Sequence, residues 1–139
     1  MVRKNIHLSY KLPENVRVNA DANKLEQVII NIISNSLDFC PEYSTIEIAP
    51  VNSREPTRYF AVEITDNGPG IDADDLPNVF DPFFTTKEVG QGIGMGLAIC
   101  YRLMEECNGS IDIVSQKGKG TSAILEIPLG LRCNDVEKV

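Results

Sequence analysis

The chain is poor in the groups that metal and redox chemistry draw on. It carries one histidine, His7, and four cysteines, Cys40, Cys100, Cys107 and Cys133, with no C-x-x-C spacing and no histidine beside any of them. That inventory disfavours a zinc site. Cys100 and Cys107 fall at helical spacing with Leu97, Tyr101 and Met104, which reads as small core residues, since free cysteine is commonly buried as a compact hydrophobe. No apolar run approaches the ~20 residues that cross a bilayer, and the start, Met1-Val2-Arg3-Lys4-Asn5, lacks the apolar centre of a signal peptide. The chain is therefore expected in the cytoplasm, with no membrane insertion of its own, while a parent protein can still be membrane-anchored. Positive charge is scarce as well. The 13 Lys and Arg against 20 Asp and Glu give a net charge of −7, which argues against a nucleic-acid partner, whose footprint is clustered Lys and Arg. At 139 residues and 42% hydrophobic there is room for one ordinary core, so residues 1–130 read as a single domain and 131–139 as a frayed tail.

Glycine, by contrast, is concentrated. Gly90, Gly92, Gly94 and Gly96 alternate through Gly90-Gln91-Gly92-Ile93-Gly94-Met95-Gly96 and run directly into a helical pattern from Leu97 to Met104. A loop without Cβ atoms lets backbone N–H groups close on an anion, and the helix start behind it adds unpaired donors and the positive dipole end. This phosphate seat follows neither common design: no Lys-Ser or Lys-Thr follows a glycine, and no three of these glycines fit G-x-G-x-x-G. Alone, the stretch fits a plain flexible loop equally well.

A helix is expected from Asp21 to Phe39, where Leu25, Val28, Ile29, Ile32, Ile33 and Leu37 recur at helical spacing as a core face. Lys24, Gln27, Asn31, Asn35 and Asp38 form a polar stripe on the other side, which places Asn31 and Asn35 side by side. Asp21 or Asn23 can cap the start, and Pro41 lies just past the end. An asparagine oxygen is a neutral, hard ligand suited to a magnesium ion that arrives with substrate phosphates and waters. A solvated helix face is the bland alternative.

A strand follows in Tyr59-Phe60-Ala61-Val62-Glu63-Ile64-Thr65, stopping at Asp66-Asn67-Gly68-Pro69-Gly70. Its end delivers a carboxylate. Asp66 is placed to accept from the exocyclic amine of adenine, where guanine would present an opposing oxygen, and such a bond is worth ~1.5–3 kcal/mol. Gly68 and Gly70 would let the base approach the backbone, although the same residues also make an ordinary turn.

In order, Asn31 and Asn35, then Asp66 to Gly70, then Phe80-Asp81-Pro82-Phe83-Phe84-Thr85-Thr86-Lys87, then Gly92 to Leu97, then Gly118-Lys119-Gly120-Thr121 resemble the N, G1, F, G2 and G3 boxes of the ATP-binding catalytic domain of sensor histidine kinases. The resemblance covers about residues 5 to 129. Each box alone is weak and the ordered set is specific. The F box separates sensor kinases from the gyrase, Hsp90 and MutL relatives that share the ATPase fold.

The resemblance implies the cofactors ATP and Mg2+ and a set of positions for them. Asn31 and Asn35 would be the catalytic pair that meets magnesium and phosphates, with Asn35 the metal ligand. Asp66 would take the adenine amine, with Gly68, Gly70, Ile71 and Thr121 around the base. Phe80, Thr86 and Lys87 would anchor a mobile ATP lid of about residues 71–96. Gly92, Gly94, Met95, Gly96 and Leu97 would close on the phosphates. Ile93 and Met95 stand where the family more often has threonine and leucine. Asp38 occupies a position where many relatives carry lysine, which puts one phosphate contact in doubt.

In the gyrase and Hsp90 relatives a glutamate one helical turn before the magnesium asparagine serves as the base for water, and Asn31 holds that place. An amide cannot take a proton at neutral pH, and Glu26 lies on another face of the helix. The expected chemistry is therefore transfer to an external nucleophile by alignment and charge neutralisation. The resemblance names that nucleophile as a histidine on a dimerisation domain, with a response regulator downstream. His7 does not serve: it sits in Ile6-His7-Leu8-Ser9-Tyr10-Lys11-Leu12, an alternating strand whose Ile6, Leu8, Tyr10 and Leu12 share one face. The chain is thus expected to be an excised catalytic domain that cannot label itself.

Val16-Arg17-Val18, Thr45 to Ile48, Ile111 to Val114 and Ala123 to Ile127 read as further strands, with Asn108-Gly109 closing the helix after the glycine loop and a short helix within Asp72 to Val79. The expected fold is an α/β (α+β) two-layer sandwich, a mixed, mostly antiparallel sheet on about three helices. A serine-directed kinase of this fold, such as an anti-sigma factor or mitochondrial dehydrogenase kinase, and a non-catalytic nucleotide module remain as alternatives.

Overall fold

The computed structural model describes residues 5–81 and 96–130. In chain order the elements are β1 (His7–Tyr10), α1 (Ala22–Phe39), β2 (Thr45–Val51), β3 (Tyr59–Asp66), a 3₁₀ turn (Leu76–Asn78), α2 (Gly96–Glu106), β4 (Ser110–Gln116) and β5 (Gly120–Pro128). The five strands form one sheet in the order β1-β2-β3-β5-β4. Only β1 and β2 run parallel; the other pairs are antiparallel. Pro50 in β2 lies beyond the last residue that β1 covers, Ile48, so its missing N–H faces an open edge.

Both α-helices cover one face of this sheet. Val28 and Ile32 of α1 and Cys100 and Met104 of α2 meet Ile46, Val62, Ile64, Ile111, Ala123, Leu125 and Ile127 in one core. The opposite face is open and polar, and there the nearly buried Glu126 accepts from Ser53 at 2.8 Å and pairs with Arg54 at 3.6 Å. The result is an open two-layer α/β sandwich, as the strand and helix pattern implied.

Local chemistry sets the boundaries. Asp21 accepts from the amides of Asn23 and Lys24 at 2.9 and 3.2 Å, capping α1, and the chain turns extended at Cys40, ahead of Pro41. Asn108, at φ +61°, ends α2. Gly109 N–H reaches back to the Met104 carbonyl and Asn108 N–H to that of Glu105, the paired closure of a left-handed helix stop. Lys24 pairs with Glu106 at 3.2 Å, while Asn35 lies beside Gly96. The two helices are therefore antiparallel, with the end of α1 against the start of α2.

Three expectations need correction. The described residues hold two α-helices rather than three, because the Asp72–Val79 stretch closes only a 3₁₀ turn around Pro77, which has no N–H to extend it. Val16-Arg17-Val18 forms no strand; Val18 makes a single bridge to Leu129. Leu37 is exposed and Ser36 is buried in its place. At 100° per residue Ser36 continues the stripe of Val28 and Ile32 at steps of four, and Leu37 has turned past it. Leu8, Tyr10 and Leu12, at the sheet's edge strand, are exposed at 48%, 72% and 45% among the described residues. His7 is an exposed strand residue. Cys40, Cys100 and Cys107 are buried free thiols. Cys133, the tail at 131–139 and most of the expected lid, 82–95, lie outside the described residues.

Candidate functional site

One end of the sheet gathers most of the described candidate residues. Asp66 is the last residue of β3 and lies in register with Thr121 at the start of β5. Its Oδ1 accepts from the backbone amides of Gly68 at 3.0 Å and Thr121 at 3.3 Å, and its Oδ2 accepts from the Ser36 hydroxyl at 2.8 Å. Three separate elements thus fix one carboxylate. A carboxylate offers about four acceptor positions, so a lone pair on Oδ2 is left over.

The surrounding backbone is packed close enough to require glycine. Gly120, at φ +109°, faces the Asp66 carbonyl, and Gly70, at φ +76°, faces the Gln116 carbonyl; a Cβ at either position would collide with it. Gly68 lies against Cys40, whose Sγ would be 2.7 Å from an added Cβ. The loop after β3 is then stitched to the β4–β5 hairpin. Gly118 N–H donates to the Pro69 carbonyl at 2.7 Å, and Ile71 N–H donates to Ser115 Oγ at 2.7 Å. Ser115 Oγ also donates to the Gly120 carbonyl at 2.9 Å and lies 2.8 Å from Thr121 Oγ1. Asn67 accepts from the amide of Thr45 at 2.8 Å, tying the turn to β2. The outcome is a tightly hydrogen-bonded, glycine-lined sheet end with one carboxylate fixed on it.

The second half of the site lies where α1 meets α2. The Asn35 amide sits beside Gly96, within 3.5 to 3.9 Å of the position a Cβ would take. It thereby faces the first turn of an 11-residue helix, whose unpaired N–H groups and dipole favour an anion. Asn31, one turn earlier, accepts from Gln27 Nε2 at 2.9 Å and lies beside the buried Cys100 thiol, which donates to the Val28 carbonyl at 3.6 Å. Burial pushes that thiol up to about 11, against the smaller opposite pull of Asn31. A neutral thiol of that kind is a structural neighbour, not a nucleophile. Asn31 and Asn35 of the polar stripe therefore turn toward α2, while Gln27 and Asp38 stay exposed.

Phe80, partly buried against the core, stacks at a tilt on Tyr101 of α2, with ring centroids 5.2 Å apart. Leu97 follows Gly96 in the first turn of α2, and Asp38 is exposed one turn beyond Asn35. Thr86, Lys87, Gly92, Gly94 and Met95 lie outside the described residues. Ser36, Ser115 and Cys40 were missed by sequence reasoning. Only Ser36 left a signal, a hydroxyl on an otherwise apolar helical stripe.

Residues 20–131 match the family model for histidine kinase-, DNA gyrase B-, and HSP90-like ATPases. The chain is 38% identical to the sensor protein KdpD of Clostridium acetobutylicum over 130 residues, 90% of this chain and 14% of that protein. It is 34% identical to the sensor histidine kinase ZraS of Escherichia coli, over 89% of this chain and 25% of that protein. The chain thus spans a quarter or less of these curated relatives. Among solved structures, the catalytic domain of histidine kinase ThkA superimposes with a TM-score of 0.72 at 30% identity, covering 89% of this chain and 79% of that one. The chain belongs to the histidine kinase-, DNA gyrase B- and HSP90-like ATPase family, as a catalytic domain of the sensor histidine kinase type.

Proposed function

We propose that the chain binds magnesium-ATP at this sheet end and presents the γ-phosphoryl group to a histidine on a dimerisation domain of the same parent protein, from which it passes to a response regulator. The carrying observation is the Asp66 carboxylate, held by Ser36, Gly68 and Thr121 with one acceptor position open at the glycine-lined sheet end. That position suits an exocyclic amine and opposes a guanine carbonyl.

Asn35 fits the metal. Its oxygen is neutral, and the described residues contain no group of three His, Cys, Asp or Glu able to hold an ion alone, which suits an ion that arrives already bound to the triphosphate. When bound, magnesium neutralises charge on the phosphates. Asn35, beside Gly96 at the start of α2, would be the residue that holds the ion. Asn31 offers no proton acceptor, so water is not activated from that helix turn. Gly70 and Ile71 border the base, and Phe80 on Tyr101 fixes the point where the lid begins. Thr86, Lys87, Gly92, Gly94, Met95 and Leu97 are assigned to the lid and phosphate contacts on the motif resemblance, and Asp38 to the rim. Residues 1–130 form the working domain, with 131–139 as a tail. No helix among the described residues is long and apolar enough to cross a membrane, in keeping with a domain that works in the cytoplasm.

The test is phosphotransfer from γ-labelled ATP to a separately supplied dimerisation domain of the parent. Acid-labile, alkali-stable label on its histidine is expected. Acid-stable label would point to a serine-directed kinase, and rapid hydrolysis without transfer would contradict the reading.

A further inference from the structure

We propose that Ser36 is a positioning residue for base recognition: by holding Asp66 Oδ2, it leaves that oxygen one acceptor position for the exocyclic amine of a purine. The inference rests on the nucleotide reading above and adds the residue that sets its selectivity.

Ser36 is an unfavourable choice by local criteria. It lies on the α1 stripe that buries Val28 and Ile32, and it is only 7% exposed. Alanine would suit the helix better and would bury no polar atom. The hydroxyl is placed instead against Asp66, 30 residues away, at 2.8 Å. A local rule broken beside a binding site is expected where function requires it.

The geometry shows what the bond controls. Gly68 and Thr121 amides occupy Oδ1, and Ser36 occupies one side of Oδ2. A carboxylate has two equivalent oxygens, and rotation would exchange them. With Ser36 in place, rotation breaks three bonds from α1, the turn and β5 together. Cys40, at the end of α1, backs Gly68, so the same helix braces both the carboxylate and one of its amide donors. Without the hydroxyl, the Oδ2 lone pair that faces the buried position 36 loses its partner, and the direction of the acceptor is no longer set from the helix side.

The experiment is calorimetric titration of the wild type, Ser36→Ala and Asp66→Asn with magnesium plus either ATP or purine riboside triphosphate, which keeps the ring and phosphates and lacks the amine. Ser36→Ala is expected to weaken ATP about five- to tenfold, the loss of one modest hydrogen bond, and to leave purine riboside triphosphate within about twofold of wild type. Equal weakening of both ligands would reduce Ser36 to a packing residue and overturn the proposal, as would unchanged ATP affinity. Asp66→Asn separates the two levels. If it leaves ATP affinity intact, the nucleotide reading fails and the Ser36 role falls with it; if it weakens ATP while Ser36→Ala does not, only the positioning role fails.

Discussion

Around Asp66, two backbone amides and a hydroxyl converge on one carboxylate, and Gly68, Gly70 and Gly120 sit where a methyl group would strike sulfur or backbone. Around Asn35, a neutral amide faces the first residue of α2, with Asn31 tied to Gln27 behind it. The base end is pre-formed by tertiary hydrogen bonds between β3, β5 and α1. Among the described residues, the proposed phosphate end holds neutral amides and a helix start. On the proposed reading, selectivity would be built into the fold, whereas affinity for phosphate would depend on the magnesium that arrives with the nucleotide.

The sharpest way to break the base end is Gly120→Ala. At φ +109°, with the Asp66 carbonyl in the path of a Cβ, the variant is expected to lose ~3–5 kcal/mol of stability through strain and a forced shift of β5 against β3. Denaturant unfolding would show it. A loss below ~1 kcal/mol, within the range of ordinary surface changes, would mean that the contact is not tight.

Asp66→Asn probes the same end with less damage. Two backbone N–H groups point at Oδ1, so the amide oxygen must take that side and its NH2 must occupy the Oδ2 side. There it faces another donor, the adenine amine. ATP binding should weaken more than tenfold, in line with ~1.5–3 kcal/mol for a charged hydrogen bond, while GTP binding should strengthen, because the new NH2 donor meets the guanine oxygen.

The phosphate end is backed by the apolar core, and alkali tests that. The Cys100 thiol stays protonated up to about 11 in the fold, against 9.0 for an exposed thiol. A raised folded value means that its stabilising effect is complete below pH 9 and is lost as pH rises toward 11. The wild type should therefore lose ~2 kcal/mol more than Cys100→Ala between those limits, by linkage. Parallel stability curves for the two proteins would show that Cys100 is not sealed from water.

Much of this site was legible in the sequence because its signals are local. The alternation from Tyr59 to Thr65, broken by Asp-Asn-Gly-Pro-Gly, located the end of β3 at Asp66, and the Asp21 cap and Pro41 bracketed α1. Asn31 and Asn35 faced the same way because helix geometry fixes a spacing of four. What stayed hidden was long-range. Nothing near Ser115 indicates that it bonds Ile71, 44 residues away, and nothing near Cys40 indicates that it backs Gly68. Leu37 was placed in the core for its hydrophobicity, when the helical phase gave that position to Ser36. Val16 to Val18 had strand-forming side chains, but the segment meets β5 only beyond its end, at Leu129, where too few residues remain to extend a ladder.

The central claim is that the sheet end reads adenine and that the metal acts through Asn35. Calorimetric titration of the wild type and Asn35→Ala with ATP, ADP and GTP, each with and without magnesium and alongside a hydrolysis assay, tests it most directly. The account predicts adenine-selective binding with negligible hydrolysis, strengthened by magnesium in the wild type and indifferent to magnesium in Asn35→Ala. Equal affinity for GTP, a magnesium effect that survives in the variant, or rapid turnover of ATP by the wild type would contradict it.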